Sequence, residues 1–232
     1  MTRGPDGIAT LWLGRQRYQP ILEAQRAWRQ RMIHEGAAEQ LWALEHERVI
    51  TTGKRGPGAD LNPDLLAYQG VELVQTERGG LTTWHGPGQL VVYTLVRVHA
   101  RGFGPKAFVE ALEGAVITWL GAIGLPADRR SGRPGVWVAD EKVAAIGLHI
   151  AGGVAMHGLA LNLQPKLDDY RLFAPCGYAD TGVSSVATIL GDAPSPMEAA
   201  PSLCSTIIDA ISKASLSLPA SEAAEKKTKN MP

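Results

Sequence analysis

Residues 174–178 read APCGY and hold one of the two cysteines in the chain. Pro175 and Gly177 deny this stretch a regular helix or strand. Backbone shape therefore presents Cys176, and a thiol on an irregular loop is a candidate nucleophile. The thiolate is the reactive form, so such a residue needs a base or a cation beside it. The sequence offers His85, His149, His157 and Lys142. His149 and His157 lie in strand-like runs, where an imidazole also serves as a satisfied core group or a solvent-facing one. Lys142 opens the apolar run KVAAIG. Most lysines at a strand end are solvated, but one drawn into an apolar site has a lowered pKa and can take a proton. His85, in WHGPGQ, suits a base, a donor to a substrate carbonyl, or a link in a tight turn. Spacing does not choose between lysine and histidine. Cys204 reads as core, because it shares a helical face with Leu203, Ile207 and Ile211.

Four polar, glycine-rich stretches interrupt the apolar runs: ERGGLTTWHGPGQ (77–89), EKVAAIG (141–147), MHGLALN (156–162) and APCGYADTGVSS (174–185). Each adjoins a strand-like run, and loops at strand ends are where chemistry usually sits. Glycines 79, 80, 86 and 88 permit close backbone approach and offer bare N–H groups to a carbonyl or phosphate. No phosphate-loop or dinucleotide glycine pattern occurs at a strand-to-helix junction. The six histidines and two cysteines show no short ligand spacing, so no metal and no cofactor is expected.

The elements that must position these stretches follow from periodicity. Residues 8–13 read as a strand, and 18–35 as an amphipathic helix with Ile21, Leu22, Gln25, Trp28, Met32 and Ile33 at helical spacing. Residues 40–56 read as two short strands or a bent pair, 62–69 as a short helix opened by Pro63, and 71–76 as a strand. QLVVYTLVRV (89–98) reads as a central strand, and 104–123 as the longest clear helix. ADRRSGRPG (127–135) reads as a loop. Strands follow at 136–140, 142–151 and 154–163, the last two joined at Gly152–Gly153 in a hairpin. Residues 195–214 read as a helix with Leu203, Cys204, Ile207, Ile208 and Ile211 inward. With no internal repeat, the expectation is a single α+β domain over 1–215, a mixed β-sheet flanked by helices, followed by a polar tail at 216–232.

Composition limits the function classes. The 232 residues suit one domain, and Lys+Arg and Asp+Glu are both 23. Zero formal charge argues against a surface built for nucleic acid or anionic lipid, though a local patch is compatible with it. No apolar run approaches a bilayer span. Two cysteines are too few for a disulfide framework, and the N-terminus does not read as a signal peptide, so the cytosol is the expected compartment.

In combination and in this order, RGGLTTWHGPGQLVVY, KVAAIG, HGLALN and PCGY…GVSS resemble the octanoyltransferases of lipoate synthesis, the LipB family. LEHERVITTGKRG (44–56) is also similar to a segment of that family, and the resemblance covers roughly residues 8–190. Glu47 stands where the family usually has proline, Ser184 where threonine is usual, and Tyr178 where an aliphatic residue follows PCG. None of these removes a reactive group.

The resemblance implies the fold of biotin and lipoate protein ligase catalytic domains and an acyl-enzyme mechanism. Cys176 would carry the acyl thioester and Lys142 would activate it, with a pKa below that of a solvated lysine (about 10.4). Arg78, Gly79, Gly80, Leu81, Thr82, Thr83, Trp84, His85, Ala145, Ile146, Gly147, Gly158, Leu159 and Ala160 would line the acyl site, with His157 helping to shape it. The implied donor is octanoyl-acyl carrier protein. The implied acceptors are lipoyl domains of 2-oxoacid dehydrogenase E2 subunits and the glycine cleavage H protein. A thioester is already activated, so the transfer needs no ATP. DRRSGR (128–133) and Lys54–Arg55 are candidates for a basic dock for an acidic carrier. Three other readings of the same residues are an ATP-dependent ligase on this fold, a cysteine thioesterase using His85 or His157 as base, and a non-catalytic lipoyl-domain binder.

Overall fold

The computed structural model describes residues 2–3, 7–56, 61–172 and 182–216. Cys176, Tyr178 and most of the polar tail lie outside the described residues. In chain order the first half runs β1 (Thr2–Arg3), β2 (Ala9–Gln16), α1 (Tyr18–His34), β3 (Gln40–His46), β4 (Val49–Thr52), α2 (Pro63–Tyr68), β5 (Glu72–Gln75), β6 (Thr82–His85), β7 (Gln89–Leu95) and α3 (Pro105–Ala122). The second half runs β8 (Asp128–Arg130), β9 (Arg133–Val138), β10 (Glu141–Ala151), β11 (Val154–Asn162), a 3₁₀ turn (Leu167–Leu172), β12 (Gly182–Val183), α4 (Val186–Leu190) and α5 (Pro196–Leu216).

Among the described residues two sheets form where one was expected. The large one has the order β1-β2-β3-β7-β11-β10-β9-β8, with β12 paired to β10. The small one has the order β5-β4-β6. Strand pairing is not sequential along the chain. The strand β2 runs parallel to β3, and β3 pairs with β7, beyond the whole small sheet. The long apolar run does sit centrally: β7 is buried throughout between β3 and β11, as an apolar strand covered on both faces should be. Its residues alternate. Leu90 and Val92 join a core with α3 and α5, including Phe108, Leu112, Leu203, Cys204 and Ile207. Val91, Tyr93 and Leu95 face the other way, toward Tyr18 and Leu22 of α1.

Helix starts follow local chemistry. The Asn62 side chain accepts the Asp64 and Leu65 N–H groups, and Pro63 occupies the first turn of α2. The Ser185 side chain accepts Thr188 N–H at α4. Two segments depart from expectation. Residues 128–138 form a hairpin, not a loop, turning at Gly132 with φ +72°. Its charged residues suit an edge strand, and Arg129 and Arg130 are tied to Glu113 and Asp140. Two of the three arginines of DRRSGR, a candidate dock, are therefore paired within the chain. Residues 82–85 are a strand inside a glycine-rich stretch, because β4 supplies a ladder at Val49–Thr52.

Gly158 marks the tightest packing. A Cβ there would run into the Val92 carbonyl of the neighbouring strand. Gly158→Ala is expected to cost about 2–3 kcal/mol by overpacking, lowering the melting temperature by roughly 5–10 °C in a thermal melt.

Candidate active site

The two sheets face each other across a cavity of about 450 Å³. Its floor is made of small residues on the large sheet, Ala145 and Gly147 from β10 and Gly158 and Ala160 from β11, continuing to Val91 and Tyr93 of β7. The loop before β6 supplies Arg78, Gly79, Gly80 and Leu81, and β6 supplies Thr82, Thr83 and His85. Lys142, Ile146, Leu159 and His157, also expected there, line it too. Trp84 does not belong to it. Side chains alternate along a strand, which turns Trp84 to the far face of β6. There its indole N–H donates to Asp169 at 3.0 Å and its ring packs on Tyr170. The sequence reading missed Tyr18, Glu77, Val91 and Tyr93, which look like ordinary helix, loop and core residues. Lys54 and Arg55 are exposed at the rim of the cavity, as a dock requires.

Lys142 is 8% exposed. Its ammonium nitrogen donates to the Pro134 carbonyl at 3.1 Å and lies 4.8 Å from the Trp137 ring centroid. Gly135, with φ +130°, makes room: a Cβ there would sit 2.5 Å from the Ala144 carbonyl and 3.2 Å from the Lys142 side chain. The strand β12 pairs with β10 at Glu141–Lys142, and Ser184 N–H donates to the Lys142 carbonyl at 3.1 Å. Because Ser184 acts there through its backbone, serine serves as well as threonine.

One chain of buried hydrogen bonds joins three of the four glycine-rich stretches to Lys142. His85 Nδ1 meets Gln89 Oε1 at 2.8 Å. Gln89 Nε2 donates to Asn162 Oδ1 at 2.9 Å, and Asn162 Nδ2 donates to the Ser184 carbonyl at 3.0 Å. Because Gln89 Oε1 can only accept, His85 carries its proton on Nδ1, which leaves Nε2 as the acceptor. His85 is therefore not a donor to a substrate carbonyl in its neutral form. Asn162→Leu would take the side-chain donor from the Ser184 carbonyl in a dry interior and leave Gln89 Nε2 only its longer bonds to the Trp84 carbonyl and the Tyr170 hydroxyl, both at 3.2 Å. The expected loss is about 2–5 kcal/mol of stability by denaturant melt.

The histidines are held neutral. Burial lowers His46 to about 4 and pushes His85 well below the ordinary value. Burial likewise pushes His157 down, so its Nε2, 3.9 Å from a Glu77 oxygen, makes no ion pair with it. Glu77 is held well below the usual carboxylate range by its hydrogen bonds from Arg26. His157 has φ +60°, a left-handed conformation that is costly for a side-chain-bearing residue. Its ring thereby reaches Tyr93 and Glu77 at the cavity. Each of these histidines binds a proton more readily in the unfolded chain. Stability is therefore full above the unfolded pKa near 6.5 and falls as pH drops. Glu77 adds to the fall at lower pH. Denaturant melts should be flat from pH 8 to 7. Below pH 6.5 they should decline by up to about 1.4 kcal/mol per pH unit for each imidazole.

The fold matches the P. falciparum protein LipL1 solved with lipoate, at a TM-score of 0.68 and 13% identity, covering 92% of this chain and 64% of that longer one. It matches lipoate-protein ligase A bound with ATP at 0.63 and 14%, covering 92% and 85%. It matches the biotin protein ligase of Aquifex aeolicus at 0.54 and 11%, covering 90% and 71%. The fold is thus that of lipoate and biotin protein ligases.

Residues 17–208 match the model of the lipoyl protein ligase A/B catalytic domain, and the chain belongs to that family. An octanoyltransferase of Clavibacter sepedonicus is 39% identical over 215 residues, covering 89% of this chain and 90% of the relative. One of Thiobacillus denitrificans is 41% identical over 181 residues, covering 78% and 81%. Within the family, the chain is an acyltransferase of the octanoyltransferase type.

Proposed function

We propose that the chain moves an octanoyl group from the phosphopantetheine thioester of acyl carrier protein to a lysine of a lipoyl domain, through a thioester on Cys176. In the first step Lys142 takes the thiol proton. The thiolate attacks the donor's carbonyl carbon, the new C–S bond forms, and the donor's C–S bond breaks as its thiol leaves with the proton that Lys142 took. In the second step the acceptor amine attacks that carbon. A C–N bond forms, the bond to Cys176 breaks, and the amine's proton passes through Lys142 to the departing Cys176 sulfur. One thioester replaces another, so two bulky proteins can use one site in turn. Acceptors would be E2 lipoyl domains and the glycine cleavage H protein, and the compartment the cytosol. Among the described residues no helix is long and apolar enough to cross a membrane.

The observation that carries this reading is the apolar slot floored by small residues with a buried lysine at one side. In the chain Cys176 shortly precedes β12, the strand paired at Lys142. The thioesterase reading is weaker, because both candidate histidines are pushed toward the neutral form as poor bases. The ligase reading has the fold and the broad ligase A/B family behind it, whereas the octanoyltransferase relatives are about 40% identical over most of the chain.

The test is intact-protein mass spectrometry after mixing the chain with octanoyl-acyl carrier protein. One octanoyl group should appear, mapping to Cys176, and should leave when a lipoyl domain is added. An adduct on Cys204, or acyl-adenylate formed from octanoate and ATP, would refute the reading. Cys204 is fully buried and its thiol is pushed up to about 12 by burial. In the native chain it should resist iodoacetamide while Cys176 is alkylated.

A further inference from the structure

We propose that acyl-chain length is read by a wall of four linked rings at the β7 side of the slot: Tyr18, His46, His85 and Tyr93. This rests on the acyl-slot reading above. The cavity lining holds polar groups in His149, Glu77 and the exposed Lys54 and Arg55, which suit the carrier arm. It also holds Ala145, Ala160 and Val91, which stand opposite one another on β10, β11 and β7, and an apolar chain lies best over this row.

The crossing has a fixed length. From β10 to β7 is two strand spacings, roughly 10 Å at about 4.8 Å each. An extended eight-carbon chain has seven bonds of about 1.5 Å in zigzag, roughly 9 Å end to end. Its methyl end therefore arrives at Tyr18, His85 and Tyr93, which line the cavity. Tyr18 and His85 stack at 5.8 Å with 12° between planes, and Tyr18 and His46 are 4.9 Å apart.

Hydrogen bonds make the wall unyielding. His46 is fully buried behind the front rings. Its Nδ1–H donates to the Gln16 carbonyl at 3.0 Å, so its Nε2 accepts the Tyr93 hydroxyl at 2.6 Å. His85 is fixed by Gln89 at 2.8 Å. An aliphatic wall would admit two more carbons by changing rotamers. Here the intrusion would separate polar pairs in a dry interior, which is costly. The rings thus add a penalty that apolar contact alone does not supply.

The test follows acylation of the full chain by hexanoyl, octanoyl, decanoyl and dodecanoyl carrier protein, using intact mass. Val91→Ala should raise the decanoyl-to-octanoyl rate ratio at least tenfold. Ala160→Val, which shortens the crossing, should shift preference the other way, lowering the octanoyl-to-hexanoyl ratio at least fivefold. Tyr93→Phe keeps the ring but cuts its tie to His46, and should raise the decanoyl-to-octanoyl ratio several-fold. This milder change covers the case in which a cavity variant does not fold. Opposite shifts from the first two substitutions would not arise from lost stability. Adducts whose length profile ignores all three substitutions would overturn the wall alone. No adduct of any length on the unsubstituted chain would overturn the acyl-slot reading and the wall with it.

Discussion

Cys176→Ser is expected to abolish the octanoyl adduct and to lower transfer by about 10⁴-fold or more, the scale seen when a catalytic nucleophile is removed. Serine is nearly the size of cysteine, so fold stability should hardly change. What changes is reactivity: a thiol yields a usable thiolate near neutral pH, while a hydroxyl needs far stronger activation. The control is Cys204→Ser. Cys204 packs among Leu203, Ile207 and the α3 side chains, with its thiol pushed up by burial. Its replacement should affect melting more than turnover. Single-turnover acylation followed by mass would decide the matter. A Cys176→Ser chain that still transfers at a tenth of the normal rate would remove the covalent step from the mechanism.

Lys142→Met is expected to slow acylation of Cys176 by about 10²–10⁴-fold, the usual worth of a positioned proton acceptor. Methionine keeps much of the length and the contact with Trp137, so the packing loss is smaller than with alanine. It cannot accept the thiol proton or hydrogen-bond to the Pro134 carbonyl, which Lys142 reaches at 3.1 Å. Lys142→Arg should not rescue the rate, because a guanidinium does not give up its proton. Affinity for the carrier protein should change little, since Lys142 is buried while Lys54 and Arg55 are exposed at the rim. Equal acylation rates in the methionine and unsubstituted chains would end the proposed role of Lys142.

Much of the architecture was legible locally. The periodicity at 18–35 gave α1, although Ile33, expected inward, is 37% exposed. The apolar run at 89–98 gave a central strand, and the pair of glycines at 152–153 gave the hairpin between β10 and β11. The residues at 78–85, 145–147 and 158–160 do gather at one cavity, apart from Trp84. The small sheet was not legible as a separate layer. Its strands β4 and β6 are four residues each, too short for a period to stand out, and their pairing joins distant segments. Tyr18 and Tyr93 gave no signal either. A tyrosine at a helix start and one inside an apolar strand look like ordinary core until the fold brings both to His46.

By itself, the sequence determined residue chemistry, the local elements, and the motif set that ties this chain to its family. These depend on side-chain type and on patterns within a few residues, which survive without knowledge of the fold. Only the tertiary structure decided that His85 presents an acceptor nitrogen, that Trp84 turns away from the cavity, and that Gln89 and Asn162 link three motifs to Lys142. Those outcomes rest on which distant groups meet in a dry interior. There, each buried polar atom must find a partner, and the partner it finds sets its proton and its direction.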